Sequence, residues 1–129
     1  MKMICSTMIV AVLTSTASAQ SLPQGVFWNR TLSECRSNSY GDGRLEISGN
    51  TMSFYESQCS LAPGRPLSDF PNGYIYSATC SGEGETYERE LVILPGWDRD
   101  IEIIYMPDEY ADYYSSVEYV WCEPAELSK

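Results

Sequence analysis

Short stretches in which apolar and polar residues alternate run through most of the chain, and clusters of glycine, proline and asparagine separate them about every dozen residues. Alternation with a period of two places successive side chains on opposite faces of a strand. Apolar residues three or four positions apart, the mark of a helix, are scarce. The pattern therefore predicts an all-β fold of about seven short antiparallel strands.

The seven predicted strands are residues 25–28, 44–47, 51–58, 74–80, 86–94, 101–106 and 117–122. Residues 60–73 are rich in proline and glycine and are predicted to form the longest loop. Thr31 and Glu34 have the spacing of a capping box, which predicts one helical turn ending near Cys35. A meander of such strands closes into a small barrel or curls into a sandwich, because either arrangement protects its edges.

Alternation along each predicted strand also selects the side chains that should face the core. We expect this inward set to be Leu45, Ile47, Met52, Phe54, Tyr76, Ala78, Leu91, Ile93, Ile101, Ile103, Val117, Tyr119 and Trp121. A slip of one residue in any strand would turn its share of the set toward solvent.

Residues 1–19 have the three parts of a secretory signal peptide, namely the charge of Lys2, the apolar stretch 8–13 and the small residues 17–19. We expect cleavage after Ala19 and a single β domain from residue 20 to residue 129. The apolar stretch is shorter than the roughly 20 residues of a transmembrane helix, so no membrane insertion is expected. The expected location is the periplasm or the exterior of the cell.

Four cysteines follow the predicted signal peptide: Cys35, Cys59, Cys80 and Cys122. In a small exported domain, this number is typical of two disulfides. No two of them have the CxxC spacing of a zinc ribbon or a redox site. Three pairings are possible, and we favour Cys35 with Cys59 and Cys80 with Cys122, because each would join neighbouring predicted strands.

The 129 residues include no histidine, and 18 acidic residues against 8 basic ones give a formal net charge of −10. Without histidine there is no Ser-His-Asp or Cys-His nucleophile pair and no His-containing zinc site. The negative charge repels nucleic acid and anionic membrane surfaces. We therefore expect a monomeric binding protein without a cofactor, rather than an enzyme.

One predicted strand face carries a carboxylate among apolar residues. Phe54 and Glu56 share a face by alternation, so Glu56 is expected to point toward the core. A carboxylate there needs a partner. Arg89, which shares a face with Leu91, is the expected partner, and Arg44 is the alternative. We interpret the Glu56–Arg89 pair as a structural ion pair at one end of a barrel.

Tyrosines and acids are interleaved in the last third of the chain. Tyrosine buries a large area at little cost in side-chain entropy, and acids attract cationic partners, so the mixture favours a recognition surface for a basic protein. The predicted binding residues are Asp108, Glu109, Tyr110, Asp112, Tyr113 and Tyr114. The alternatives are tyrosines that cover a barrel end and acids that bind calcium, although these acids match no EF-hand loop, so no metal site is expected.

Several motifs together resemble a group of small exported bacterial β proteins with two disulfides and no established activity. The motifs are residues 28–35, 44–47, 54–59, 80–85 and 119–122, and they span most of the predicted domain. The chain has a weaker likeness to periplasmic lysozyme-inhibitor barrels, in size, export and a tyrosine–cysteine spacing. That likeness implies no functional residue.

Three classes of function follow from these features. The first is an exported acidic module that binds or inhibits a cationic protein, for instance a basic cell-wall-degrading enzyme. The second is a carrier of a small apolar ligand in a barrel lumen, or an envelope protein with a structural role. The third, an enzyme that uses carboxylates alone, needs two acids facing each other across a cleft, and the sequence identifies no such pair. We favour the first.

Overall fold

Nine β-strands build the architecture, and the computed structural model describes residues 11, 22–31, 35, 43–109 and 111–124. Their bounds are β1 Gly25–Asn29, β2 Arg44–Ser48, β3 Thr51–Ser53, β4 Ser57–Leu61, β5 Arg65–Pro66, β6 Tyr74–Gly82, β7 Glu85–Pro95, β8 Ile101–Tyr105 and β9 Ser115–Cys122. Six of the seven predicted strands correspond to one strand each, with ends that differ by two residues or fewer.

Eight of the strands close into an antiparallel barrel. Consecutive strands pair along the chain, β9 returns to pair with β1, and β4 pairs with β6. The short strand β5 also pairs with β6. Since β7 occupies the other edge of β6 along its whole length, β5 lies on the same edge as β4. The all-β prediction is confirmed, and of the two arrangements left open, the structure forms the barrel.

The barrel interior is filled by the side chains that alternation selected. Every member of the predicted inward set lies in the core cluster or packs against it, so alternation assigned these side chains to the correct face. The core also contains Phe27, Leu61, Cys59 and Cys80, which the sequence analysis did not include. Burial of each large apolar side chain contributes about 1.5–3 kcal/mol. Among the described residues, two cavities are bordered by these core side chains, one toward each end of the barrel.

The predicted strand 51–58 is wrong, because a tight turn divides it into β3 and β4. The amide of Phe54 donates a hydrogen bond of 2.8 Å to the carbonyl of Ser57 across this turn. The inward residues are even-numbered before the turn (Met52) and odd-numbered after it (Cys59), a change that one continuous strand cannot make. The predicted loop 60–73 accordingly contains the end of β4 and all of β5.

A glycine allows the chain to cross from β4 to β5. A Cβ at Gly64 would overlap the ring of Tyr76, which is buried in the core. The backbone therefore passes directly over the aromatic ring at a position where any other residue would displace it.

The two disulfides are Cys59–Cys80 and Cys35–Cys122, with Cα–Cα distances of 4.0 Å and 5.5 Å, so the favoured pairing is wrong. Cys59 lies directly opposite Cys80 where β4 and β6 close the barrel. Cys80 faces the interior, whereas Cys122 alternates with the inward Trp121 and faces outward, so Cys80 and Cys122 cannot meet. Two disulfides fit an oxidising, extracytoplasmic location.

Two predictions fall outside the described residues. The signal peptide lies in residues 1–19, of which only residue 11 is described, and the helical turn would include residues 32–34. In the part of the chain that the structure describes, no helix is long and apolar enough to cross a bilayer.

Candidate functional site

The predicted binding residues belong to the loop between β8 and β9. Tyr113 and Tyr114 are each 65% exposed, and Glu109 and Asp112 are also exposed. Asp108 folds the loop back on itself, since its carboxylate accepts a hydrogen bond of 2.8 Å from the amide of Ala111 and its own amide donates one to the carbonyl of Ala111. Tyr110 lies outside the described residues. The loop thus presents two tyrosines and two carboxylates to solvent.

Tyr114 also borders an apolar groove on the outer wall of the barrel. The groove has a volume of about 270 Å³ and is lined by Leu67, Phe70, Val92, Leu94, Ile104, Met106 and Tyr114, together with two polar residues. Phe70 is 54% exposed, whereas Val92 at its base is buried. An exposed aromatic residue beside an apolar groove is a common feature of protein interfaces.

Two further acids lie on the outer face of the β8–β9 hairpin, separated from the loop by the outward pair Ile104 and Ser116. Glu102 on β8 lies directly opposite Glu118 on β9. Like charges in this position destabilise a sheet. The guanidinium of Arg30 partly offsets the repulsion, since it contacts Glu118 at 3.1 Å and Asp100 at 2.9 Å. Glu102 forms no ion pair with the residues that the structure describes. We call Glu102, Glu109, Asp112, Tyr113, Tyr114 and Glu118 the hairpin surface.

Each arginine in the described part of the chain contacts either a carboxylate or an aromatic ring. Arg30, Arg44 and Arg65 contact carboxylates, the last two at 3.4 Å from Glu46 and 3.8 Å from Glu90. Arg89 and Arg99 instead stack on aromatic rings. Among the described arginines, Arg30 alone contacts an acid of the hairpin surface, and Glu102, Glu109 and Asp112 have no ion pair with a described arginine.

The predicted Glu56–Arg89 ion pair is wrong. Glu56 lies in the exposed turn between β3 and β4, not on a strand face, and the ion pairs between described residues do not join it to Arg89. Arg89 does share the inward face of β7 with Leu91, as the alternation indicated. Its guanidinium stacks on the ring of Tyr105, with 4.1 Å between the guanidinium carbon and the ring centre.

Arg89 faces a pocket of about 190 Å³ at one end of the barrel. The pocket is lined by Phe54, Ser57, Cys59, Cys80, Tyr87, Arg89, Leu91 and Tyr105. The Nε of Arg89 is buried and has no hydrogen-bond partner in the structure. We call this cavity the Arg89 pocket; its walls are mainly apolar, and its cation has no anionic partner among the described residues.

Tyrosine hydroxyls are buried beside this pocket. Burial raises the pKa of Tyr105 far above its usual value of 10.0, and the hydrogen bond that its hydroxyl donates to Tyr119 raises it further. The nearby charge of Arg89 acts in the opposite direction, but more weakly. Burial also raises the pKa of Tyr119, an effect that the accepted hydrogen bond reduces. Both hydroxyls therefore stay protonated at neutral pH.

The opposite end of the barrel contains a larger cavity, the mouth pocket, of about 440 Å³. Its base consists of buried core residues, among them Phe27, Ile93 and Ile101. Trp121 forms one wall and is covered by the guanidinium of Arg99 at 4.4 Å. Gly25 makes room for it, because a Cβ there would lie 2.8 Å from the indole nitrogen of Trp121. The mouth pocket has no signal in the sequence, because its walls come from separate segments of the chain.

The described residues include no group of three or more acids or cysteines that could hold a metal ion. Comparison of the chain with family models, with curated proteins and with solved structures finds no match.

Proposed function

We propose that the protein is an exported acidic module that binds, and in doing so inhibits, a basic protein of the cell envelope through the hairpin surface. The observation that carries this proposal is the pairing of Glu102 with Glu118 across β8 and β9. A sheet that opposes two carboxylates loses stability. A cationic partner would relieve that repulsion and would gain an ion pair with Glu102, which no described arginine contacts.

The rest of the hairpin surface supports a protein partner rather than a small cation. Tyr113 and Tyr114 add large exposed rings beside the carboxylates, and the groove next to Tyr114 offers an apolar seat. Interfaces derive most of their binding energy from such buried aromatic contacts, while charges at the rim accelerate association. A basic protein with one projecting apolar side chain matches both features.

The experiment compares the affinity of two charge variants for a basic lysozyme, with cytochrome c as a basic protein that does not act on the cell wall. Glu102→Gln/Glu109→Gln/Asp112→Asn removes three charges from the hairpin surface. Glu83→Gln/Glu85→Gln/Glu88→Gln removes three from the β6–β7 hairpin and serves as the matched control. We expect the first variant to lose about tenfold or more in affinity, mainly through slower association, and the control to lose much less.

Salt and partner choice complete the test. Affinity should fall as the salt concentration rises, because exposed charges are screened within about 10 Å at 0.1 M salt. Lysozyme bound more tightly than cytochrome c would support an inhibitor of wall-degrading enzymes. Equal losses in the two triple variants, or no salt-sensitive binding to either protein, would contradict the proposal.

A second candidate function, the carriage of a small apolar ligand, is favoured by the mouth pocket. Its volume of about 440 Å³ lies within the range of roughly 300–1,000 Å³ that is usual for small-molecule sites. The filled interior argues against a ligand along the barrel axis, so the carrier function would be limited to this end.

A further inference from the structure

Arg89 is the arginine whose surroundings the fold explains least. It lies on the inward face of β7 and is half-buried, yet among the described residues no carboxylate forms an ion pair with it and none accepts a hydrogen bond from its buried Nε. The chain has more than twice as many acids as bases. A charge that leaves water without a partner costs stability. With so many carboxylates in the chain, the lack of one among the described residues that line the Arg89 pocket points to an anion supplied from outside.

The residues that line the Arg89 pocket indicate which chemical groups that anion contains. Phe54, Leu91 and the Cys59–Cys80 disulfide present apolar surface. Ser57 and Tyr87 add two hydroxyls that can donate hydrogen bonds to an oxygen. A planar guanidinium beside hydroxyl donors matches the two oxygens of a carboxylate, and the apolar walls match a hydrocarbon body.

We propose that the Arg89 pocket binds a small monocarboxylate, whose carboxylate pairs with the guanidinium of Arg89 and whose apolar body contacts Phe54, Leu91 and the disulfide. The pocket volume of about 190 Å³ is below the range of drug-sized sites, so the ligand is a short-chain or single-ring acid. This site is independent of the hairpin surface and of the mouth pocket at the other end of the barrel.

Salt separates this site from the proposed protein interface. The net charge of −10 opposes the approach of any anion, and salt screens that repulsion. The contact with Arg89 forms inside the barrel, where screening is weaker. Affinity for a small carboxylate should therefore hold or rise as salt is added, whereas affinity for a basic protein at the hairpin surface should fall.

The test is an NMR titration of the isotope-labelled protein with benzoate and, as a neutral analogue of similar shape, benzyl alcohol. Benzoate should cause chemical-shift changes that saturate, and intermolecular nuclear Overhauser effects should place it against the rings of Tyr87 and Tyr105. Benzyl alcohol should bind at least about tenfold more weakly, because it lacks the charge that pairs with arginine. The position of the bound benzoate and the preference of the site for a charged ligand are both measured on the unmodified protein. This part of the test therefore does not depend on the folding of a variant.

Substitutions at two arginines then identify the cation that binds benzoate. Arg89→Met should weaken benzoate at least about tenfold, and Arg89→Lys should weaken it less, because lysine keeps the charge and loses the planar pair of donors. Arg99→Met is the matched control, since Arg99 also stacks on an aromatic ring but lies at the mouth pocket. It should leave benzoate affinity unchanged.

Three results would overturn the proposal. One is a set of chemical-shift changes that never saturates as benzoate is added. Another is contact of benzoate with Trp121 instead of Tyr87 and Tyr105. The third is equal affinity of the wild-type protein and Arg89→Met for benzoate. The first would mean that water alone satisfies Arg89. If the protein binds benzoate but does not bind lysozyme, only the function proposed for the hairpin surface is contradicted.

Discussion

Arginine has different surroundings on the outer wall of the barrel, at Arg30, and on its inward face, at Arg89. On the wall, Arg30 is 52% exposed and contacts two carboxylates, Asp100 and Glu118. Inside, Arg89 contacts an aromatic ring and no described carboxylate. Water screens the first set of charges, whereas Arg89 is half-buried and its Nε is out of contact with solvent. Exposed ion pairs thus form at little cost in desolvation and add little stability. A half-buried charge without an ion partner does cost stability, so its presence requires an explanation.

The largest expected difference between the two regions concerns apolar side chains. Ile103 is fully buried in the interior, and its neighbour Ile104 lies on the outer wall beside the groove. Ile103→Ala should lower the free energy of unfolding by about 2–5 kcal/mol, since it removes packed methyl groups and leaves a cavity. Ile104→Ala should cost much less. Denaturant unfolding with unchanged m-values checks this difference, and equal losses would show that the wall is as well packed as the interior.

The next largest expected effect is a loss of folding stability at alkaline pH, caused by tyrosines of the interior. The pKa of both Tyr105 and Tyr119 is raised in the folded protein, so the folded state keeps their protons after the unfolded chain begins to lose them near pH 10.0. The unfolded state then binds fewer protons, and stability falls as pH rises above about 10. Melting temperatures from pH 8 to 11 would show the slope. Tyr105→Phe should flatten it, and an unchanged slope would mean that this hydroxyl is not buried in solution.

The smallest effects come from the two arginines themselves. Arg30→Met should reduce stability by about 0.5 kcal/mol or less, and less still at high salt, because the side chain of Arg30 is half exposed and solvent screens both of its ion pairs. Arg89→Met should leave the stability of the ligand-free protein unchanged or raise it by up to about 1 kcal/mol, since an unpaired interior charge is replaced by apolar volume. Thermal unfolding of both variants measures this contrast. A loss above about 1 kcal/mol for Arg89→Met would assign Arg89 a structural role through its contact with Tyr105.

Alternation predicted the interior correctly because a strand that is buried on one face must repeat with a period of two. Ile101, Ile103, Tyr119 and Trp121 all face inward as expected. The same reasoning failed at Glu56, because it assumed that the strand continued past Phe54. The apolar residues change from even to odd positions between Phe54 and Cys59, and that signal in the sequence marks the turn.

The candidate sites were only partly predictable. The local run from Asp108 to Tyr114 identified the loop of the hairpin surface, because exposed tyrosines and acids lie next to each other in the chain. Glu102 and Glu118 were not recognised as part of it, because the pairing of β8 with β9 makes them neighbours. The partner of Arg89 was predicted wrongly because Glu56 lies in the turn between β3 and β4 and not on a strand face.

The sequence by itself determined the all-β class, the inward register and the presence of four cysteines able to form two disulfides, because each depends on local spacing or composition. Only the tertiary structure decided which cysteines pair, that β4 meets β6 to close the barrel, and that Arg89 faces a pocket without a carboxylate from the described residues. These features depend on contacts between residues far apart in the chain. Such contacts form only when strand order, face and closure are all fixed together, and no local pattern records that combination.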